Sequence, residues 1–356
     1  MTSIFKKMPF KKMFFKKGIF KQGILTLGAL VLSLTGTGCT SNKKETLKVW
    51  IYTSLYKDTI SDIQPKLEKQ FPGVEFSFYQ AGSEEVASKV AAEQMAGEVQ
   101  ADLLISSDRF WYEDLARQGK LLSYRPIGSE AVPAFFKNSE GFYATVSHPV
   151  MVLAYNSEVI TEADAPKSFK ELTDAKWKAK LSTGSPLASG TSFTTVAFLQ
   201  KAYGWDYFKA LRKNDLIAEG GNSGVIRRLQ SKERPVGLVL LENILRFQET
   251  DPRIKAVMPS DGVVIQSNVL SIVKKELSPE KKELVQKVAD WMFAKEGQEA
   301  MVRSYMYASM PGYQPPKGAP TLAEVMKAAK PWTQEFLDET MQARESIKEE
   351  FSKIVF

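Results

Sequence analysis

From residue 47 onward the apolar and polar positions fall into a repeating unit. Leu47 to Thr53 reads as a strand, and Ile60, Ile63, Leu67 and Phe71 then recur at helical spacing until Pro72-Gly73 ends the run. Val74 to Tyr79 is a second strand, followed by the loop Ala81-Gly82-Ser83 and a helical pattern through Val86 and Val90 that stops at Gly97. A third unit combines Leu103-Leu104-Ile105, the turn Ser106-Ser107-Asp108 and a helix with Trp111 and Leu115 closing at Gly119. Three such units in succession predict an α/β fold with a mostly parallel sheet covered by helices.

The pattern resumes at Val150 to Tyr155, and a second α/β region begins near Pro166. It holds the strand Lys180 to Thr183, the loop Ser185 to Thr191, and helical runs through Val196, Leu199 and Tyr203 and through Trp205, Phe208 and Leu211. Gly220 to Ser223 opens a short helix to Leu229, and Pro235 leads into the apolar strand Val236 to Leu241. Beyond the turn Ser260-Asp261-Gly262, Val263 to Val273 reads as one strand. Ser278-Pro279-Glu280 has the N-cap, proline and first-turn acid of a helix start. After the proline-rich break Pro311 to Pro320, Phe336, Met341, Ile347 and Phe351 predict a terminal helix with one apolar side. Two α/β lobes follow from this order.

Composition supports a packed core: 44% of the 356 residues are hydrophobic and 25% charged. The net charge of +7 suggests a polyanion binder only until its location is examined. Residues 1–38 carry seven lysines and no acid; without those seven, the 48 basic residues become 41, equal to the 41 acidic ones. No nucleic-acid partner is expected. The leader reads as a signal peptide over 1–38, with a lysine-rich start and an apolar run from Gly23 to Gly38 that is short for a membrane span. Cys39, the single cysteine, follows Leu34-Thr35-Gly36-Thr37-Gly38 and resembles the lipidated cysteine of a bacterial lipoprotein, although Gly36 stands where a leucine is usual. Residues 39–46 would then form a lipidated tether.

Little in the sequence suggests catalysis. There is one histidine and no H-E-x-x-H, G-x-S-x-G or phosphate-loop motif. The expectation is no enzyme, no catalytic residue, no cofactor and no metal. His148, before Pro149, reads as a hydrogen-bonded residue where the chain passes between lobes.

Binding chemistry is better represented. In an α/β sheet the strand-to-helix loops gather at the carboxyl ends of the strands, where helix N-termini present backbone N–H groups to an anion. Ser189-Gly190-Thr191 has this composition: glycine allows close backbone approach, and hydroxyls surround the first helical turn. Similar loops carry Ser54, Ser83, Ser107, and Asn222-Ser223. Glu242-Asn243 follows the strand Val236 to Leu241, so the Glu242 carboxylate is expected at the same cleft, reading an uncharged or cationic end of the ligand. Arg227 and Arg228 are expected on the exposed side of their helix.

The stretches Leu47 to Ser54, Ala101 to Ser107, Val152 to Asn156, Ser185 to Thr191 and Gly220 to Leu241 resemble a type II solute-binding protein of an ABC importer. The resemblance is to the branch with ferric-iron, phosphonate, phosphoester and thiamine binders. It implies a two-lobed periplasmic-binding-protein type II fold with a two-stranded hinge and C-terminal helices, the hinge strands crossing near Thr145 to Pro149 and Gly262 to Ser267. It also implies a cleft that closes on ligand and presents the closed form to a membrane permease. Residues 47–147 plus 266–356 would form lobe 1 with the C-terminal helices, and 148–265 lobe 2. Ferric-binding members place adjacent tyrosines where Glu242-Asn243 stands here, whereas Ser189-Gly190-Thr191 resembles the anion loop of the phosphonate and phosphoester binders.

The expected protein is therefore an exported, membrane-anchored lipoprotein facing the periplasm or cell exterior. It would be a monomer whose partners are a small organic anion, with a phosphonate or phosphate monoester favoured, and an ABC permease. Ser54, Ser83, Ser107, Ser189, Gly190, Thr191, Asn222, Ser223 and Glu242 are the expected ligand residues. The alternatives are a ferric-iron or ferric-chelate receptor and a ligand-sensing subunit of a membrane kinase.

Overall fold

In the computed structural model, which describes residues 46–356, the expected units follow one another in order. They are β1 (Leu47–Thr53), α1 (Lys57–Gln70), β2 (Val74–Gln80), α2 (Ser83–Ala96), β3 (Leu103–Ser106) and α3 (Arg109–Arg117), then the short β4 (Leu121–Leu122) and β5 (Ala144–His148). The alternation of a strand places successive side chains on opposite faces. Val49 and Ile51 pack in one cluster with Ile63 and Leu67 of α1, while Tyr52 and Leu104 join Val86, Val90 and Leu115 on the other face. The expected signal peptide and Cys39 lie outside the described residues.

One residue, Pro149, separates β5 from β6 (Val150–Asn156), which belongs to a second sheet. That lobe continues with β7 (Leu181–Thr183), α4 (Gly190–Tyr203), α5 (Trp205–Lys213), β8 (Ile217–Ala218), α6 (Asn222–Gln230), β9 (Val236–Leu240), α7 (Leu241–Gln248), β10 (Ile254–Val257) and β11 (Val264–Ile265). Gln266 and Ser267 then lead back to β12 (Asn268–Val273), which lies between β5 and β3 in the first sheet. The two crossings bond to each other: the Gln266 amide donates to the Pro149 carbonyl at 2.7 Å.

Both sheets are mixed, which corrects the expectation of mostly parallel ones. β1 is parallel to β2 and β3, but β12 enters antiparallel to β3 and β5. In the second sheet β7 is parallel to β8 and β9, while β6 runs antiparallel to β9 and β10. Each strand that comes directly from a crossing, β6 or β12, runs against the strands it pairs with. The expected single strand Val263 to Val273 is likewise two strands in different sheets, parted at the polar residues Gln266 and Ser267. Leu241 begins α7 rather than ending a strand, so Glu242 and Asn243 are helical.

The C-terminal part comprises α8 (Pro279–Phe293), α9 (Lys295–Arg303), β13 (Tyr307–Ala308), α10 (Leu322–Lys327), α11 (Gln334–Gln342) and α12 (Arg344–Val355). Ser278 caps α8 by accepting from the Lys281 amide at 3.2 Å. The expected terminal helix is two helices meeting at Ala343. Phe336, Ile347 and Phe351 pack in the cluster of Phe193, Phe208 and Leu211 from the second lobe. Phe110 of α3 in the first lobe belongs to the same cluster, with its ring 5.9 Å from that of Phe336, so the two terminal helices pack on both lobes. Among the described residues no helix is long and apolar enough to cross a membrane.

Candidate ligand-binding site

Strand-to-helix loops from both lobes end at one cavity of about 210 Å³. This is smaller than the ~300–1,000 Å³ of pockets for drug-sized molecules. Ser54, Ser83 and Ser107 reach its wall from the first lobe, and Ser189, Thr191, Asn222, Ser223 and Glu242 from the second. Gly190 is not on that wall. Its amide donates instead to Ser83 Oγ at 2.6 Å and joins the lobes at the cavity's edge.

The loops hold one another in place. In the first lobe the Ser54 amide donates to the Ile105 carbonyl at 3.0 Å, and Ser54 Oγ accepts from the Ser107 amide at 3.2 Å. In the second, Ser189 caps α4 by accepting from the Ser192 amide at 3.3 Å, and its hydroxyl bonds Thr191 Oγ1 at 2.9 Å. Thr191 Oγ1 also accepts from Asn222 Nδ2 at 3.0 Å, while Asn222 Oδ1 is buried without a hydrogen-bond partner among the described residues.

The N-termini of α2, α4, α6 and α7 reach this cavity through their first residues or caps, and that of α3 through Ser107, the residue before its cap. The first-turn amides of a helix have no carbonyl in their own helix to bond. Asp108 and Ser189 cap α3 and α4, but α2, α6 and α7 have no side-chain cap. α2 and α6 thus present open donors and the positive ends of their dipoles to one small volume, while at the start of α7 the Glu242 carboxylate accepts from its own amide. No lysine or arginine lies on the wall. Arg227 is exposed, and Arg228 pairs with Glu219 at 3.0 Å.

Glu242 is the one carboxylate on the wall and is 2% exposed. Burial pushes its pKa up to about 7, against the smaller opposing pull of nearby backbone amides, Arg246 and Tyr56. Tyr56 is a wall residue that the sequence reading missed. Its hydroxyl crosses the cleft to donate to Asn243 Oδ1 at 2.8 Å and approaches Glu242 Oε1 at 3.5 Å. Burial and the Glu242 charge push the phenol well above its ordinary range. Arg246 stacks on the Tyr56 ring at 4.1 Å and pairs with Asp58 of α1 at 2.8 Å. An aromatic residue in the same loop as Ser54 was the available signal.

His148 and Gln266 lie on the crossings. His148 Nδ1 is 3.2 Å from the Gln266 carbonyl, and burial lowers its pKa to about 4, so the ring is neutral. Gln266 Nε2 donates to the Thr191 carbonyl at 3.1 Å and Thr195 Oγ1 at 3.2 Å, which ties the crossing to the start of α4. Tyr307 is buried away from the wall and donates to the Pro320 carbonyl at 2.8 Å. Among the described residues no three His, Cys, Asp or Glu side chains group to hold a metal ion.

A two-lobed α/β chain with a polar cleft at its hinge has the architecture of an extracytoplasmic solute receptor. Residues 99–337 match the family model described as bacterial extracellular solute-binding protein, well over half of the chain, and the chain belongs to that family. A Sinorhizobium fredii relative, named as an ABC transporter periplasmic-binding protein, is 24% identical over 211 residues, 56% of this chain and 58% of its own length. A Salmonella paratyphi A protein, whose name provisionally assigns it 2-aminoethylphosphonate binding, is 25% identical over 195 residues, 53% of this chain and 55% of its own. The chain thus spans little more than half the length of these relatives. Among solved structures, the periplasmic binding protein AfuA from Actinobacillus pleuropneumoniae, with fructose-6-phosphate bound, superimposes with a TM-score of 0.75 at 21% identity. The likeness covers 86% of this chain and 98% of that one. Iron-bound HitA from Pseudomonas aeruginosa gives 0.73 at 20% identity, covering 86% and 99%. At these identities the two structures establish the type II two-lobed fold.

Proposed function

We propose that this chain is the substrate-binding protein of an ABC importer and encloses a small organic anion between its lobes, a phosphonate or phosphate monoester by preference. The observation that carries this reading is the convergence of five helix N-termini, three without side-chain caps, on one small hydroxyl-lined cavity. Hydroxyls of Ser54, Ser83, Ser107, Ser189, Thr191 and Ser223, the Asn222 side chain and the first-turn amides of α2 and α6 grip the anionic group, and Gly190 seals the seam beside it. Glu242 takes the other end, accepting from a ligand ammonium or hydroxyl. Buried hydrogen bonds to a charged group contribute about 1.5–3 kcal/mol each, so three or four suffice for micromolar binding after ordering costs. Closure follows because a ligand bridging both lobes binds the closed arrangement better than the open one. Export and attachment through a lipid on Cys39 would keep the receptor beside its permease. The phosphate-ester ligand of AfuA and the name of the Salmonella relative agree with this ligand class.

A thermal-shift screen of the protein against phosphonates, phosphate monoesters, ferric chelates, polyamines and neutral sugars tests the reading. A ligand at 100 times its dissociation constant adds about 2.7 kcal/mol to stability. Stabilisation by the phosphorus anions supports the reading, and stabilisation by sugars or polyamines alone removes it.

Ferric binding is the second reading, because Tyr56 and Glu242 place two hard oxygen ligands on one wall. Against it, the Tyr56 proton is held by Asn243 and its phenol is pushed away from ionisation. Visible phenolate-to-iron absorbance on adding ferric salt would decide for iron.

A further inference from the structure

The two terminal helices touch both lobes and the hinge. Trp332 Nε1 donates to the Ile265 carbonyl at 2.9 Å, beside the second crossing. From α11, Asp338 pairs with Arg117 of the first lobe and Glu339 with Lys201 of the second. α12 sits on α5, with Phe351 against Phe208 at 5.4 Å between ring centroids. From that seat on the second lobe, α12 reaches back across the seam. Arg344 Nη2 donates to Glu84 Oε1 and Asp108 Oδ2, each at 2.6 Å, and Lys348 Nζ to Glu84 Oε2 at 2.8 Å.

These groups are withdrawn from water: the Arg344 side chain is 16% exposed, Lys348 9%, Glu84 13% and Asp108 2%. Burial works against the Arg344 charge, but Asp108 and Glu84 overcome it and hold its pKa above the ordinary value. Both cations also face the Phe193 ring of α4, at 5.3 and 5.7 Å. The two carboxylates are placed tellingly. Glu84 directly follows Ser83, and Asp108 follows Ser107, so each stands behind a hydroxyl of the cavity wall. Without a cation there, two negative charges would back the helix N-termini that face the cavity.

We propose that Arg344 is a positioning residue for the cleft, the clasp of a C-terminal strap that holds the starts of α2 and α3 against the second lobe. By neutralising Glu84 and Asp108 it also keeps those N-termini attractive to an anion; this second consequence rests on the anion reading, whereas the clasp itself does not. A buried cation shared by two carboxylates is costly to strip of its partners, so the strap opposes opening.

Hydrogen exchange on the full chain tests the clasp without any ligand. In Arg344→Met, which keeps much of the apolar stem, peptides covering residues 81–90 and 107–116 should exchange about tenfold faster, while peptides covering β1 and β9 stay unchanged. Glu84→Gln, which leaves α12 intact, should give the same pattern over 81–90, and Arg344→Lys should restore part of the protection. If α12 itself melts in Arg344→Met, Glu84→Gln decides. Unchanged exchange over 81–90 in Glu84→Gln overturns the clasp, as does faster exchange confined to residues 344–355. A parallel titration with inorganic phosphate separates the two claims. About tenfold weaker binding in Arg344→Met with no weakening in Glu84→Gln, which removes one of the negative charges, supports the electrostatic role. Equal weakening in both overturns that role, and a wild-type protein blind to phosphate contradicts the anion reading while the exchange result still judges the clasp.

Discussion

The backbone amide of Gly190 donates to the Ser83 hydroxyl at 2.6 Å, so the loop that starts α4 in one lobe rests on the loop that starts α2 in the other. A Cβ on Gly190 would stand 2.7 Å from Asp108 Cβ and overlap the Ser107 carbonyl oxygen. Neither neighbour is the free end of a flexible side chain, so the lobes could not meet as they do. Gly190→Ala should fold, since the second lobe keeps its own core, yet bind the best anion at least about 100-fold more weakly. Small-angle scattering should show no ligand-induced contraction in the variant. Normal affinity and contraction would mean that the seam does not close on this glycine.

Ser189 and Thr191 are joined by their hydroxyls at 2.9 Å on the cavity wall. Replacing both, as Ser189→Ala with Thr191→Val, should cost about 1 kcal/mol of stability through the lost cap of α4. Anion affinity should fall more, by about 100-fold, as two hydrogen bonds to a charged group disappear. Calorimetric titration separates the two effects; unchanged affinity removes this loop from the site.

Glu242 makes binding depend on pH. Its folded pKa of about 7 lies above the ordinary value of 4.5, so the folded protein holds a proton that the unfolded chain has released. The sign follows from linkage: stability from this group is fully present below about pH 4.5, declines as pH rises, and is lost above about 7. Glu242→Gln should therefore be more stable than the wild type above pH 7, by on the order of 3 kcal/mol, with the difference vanishing near pH 4. An anion without an ammonium favours the protonated acid further, so binding of a phosphate monoester should take up a proton and weaken above pH 7, whereas a ligand that sets an ammonium on Glu242 should release one. Denaturation at several pH values and calorimetry in two buffers measure both; equal pH profiles for the variant and wild type would refute the assignment.

Tyr56 spans the cleft to Asn243 at 2.8 Å. In Tyr56→Phe the ring and its stacking on Arg246 remain, and the hydroxyl is lost. Ligand dissociation should quicken several-fold, in keeping with about 1 kcal/mol for one hydrogen bond. Stopped-flow release reads this directly, and an unaltered rate would show that the contact carries no closing energy.

Much of this arrangement is legible from Leu47 to Leu241 without coordinates. Val49 and Ile51 lie in a short run rich in strand-forming residues, Ile63 and Leu67 keep helical spacing, and the serine-bearing loops reach the cavity because parallel connections leave all such loops at one end. Legibility failed where one continuous run served two environments. Val236 to Leu241 carries no polar side chain across the point where β9 becomes α7, and Val263 to Val273 reads as one strand although the polar residues Gln266, Ser267 and Asn268 mark its change of sheet. Contacts between distant segments were also invisible. Arg344 and Glu84 stand 260 positions apart, and no local pattern announces that they meet. Tyr56 escaped for another reason: its ring looks like core, and only its hydroxyl's reach across the cleft gives it a place at the site.

The most direct test is a crystal structure of the protein with the phosphonate or phosphate monoester that stabilises it best. The account predicts that the ligand occupies the cavity between the lobes, its anionic oxygens on the amides and hydroxyls around Ser83, Ser107, Thr191 and Asn222, and its other end toward Glu242. A ligand seated outside that cavity, or one held there by lysine or arginine side chains with the helix N-termini unused, would contradict it.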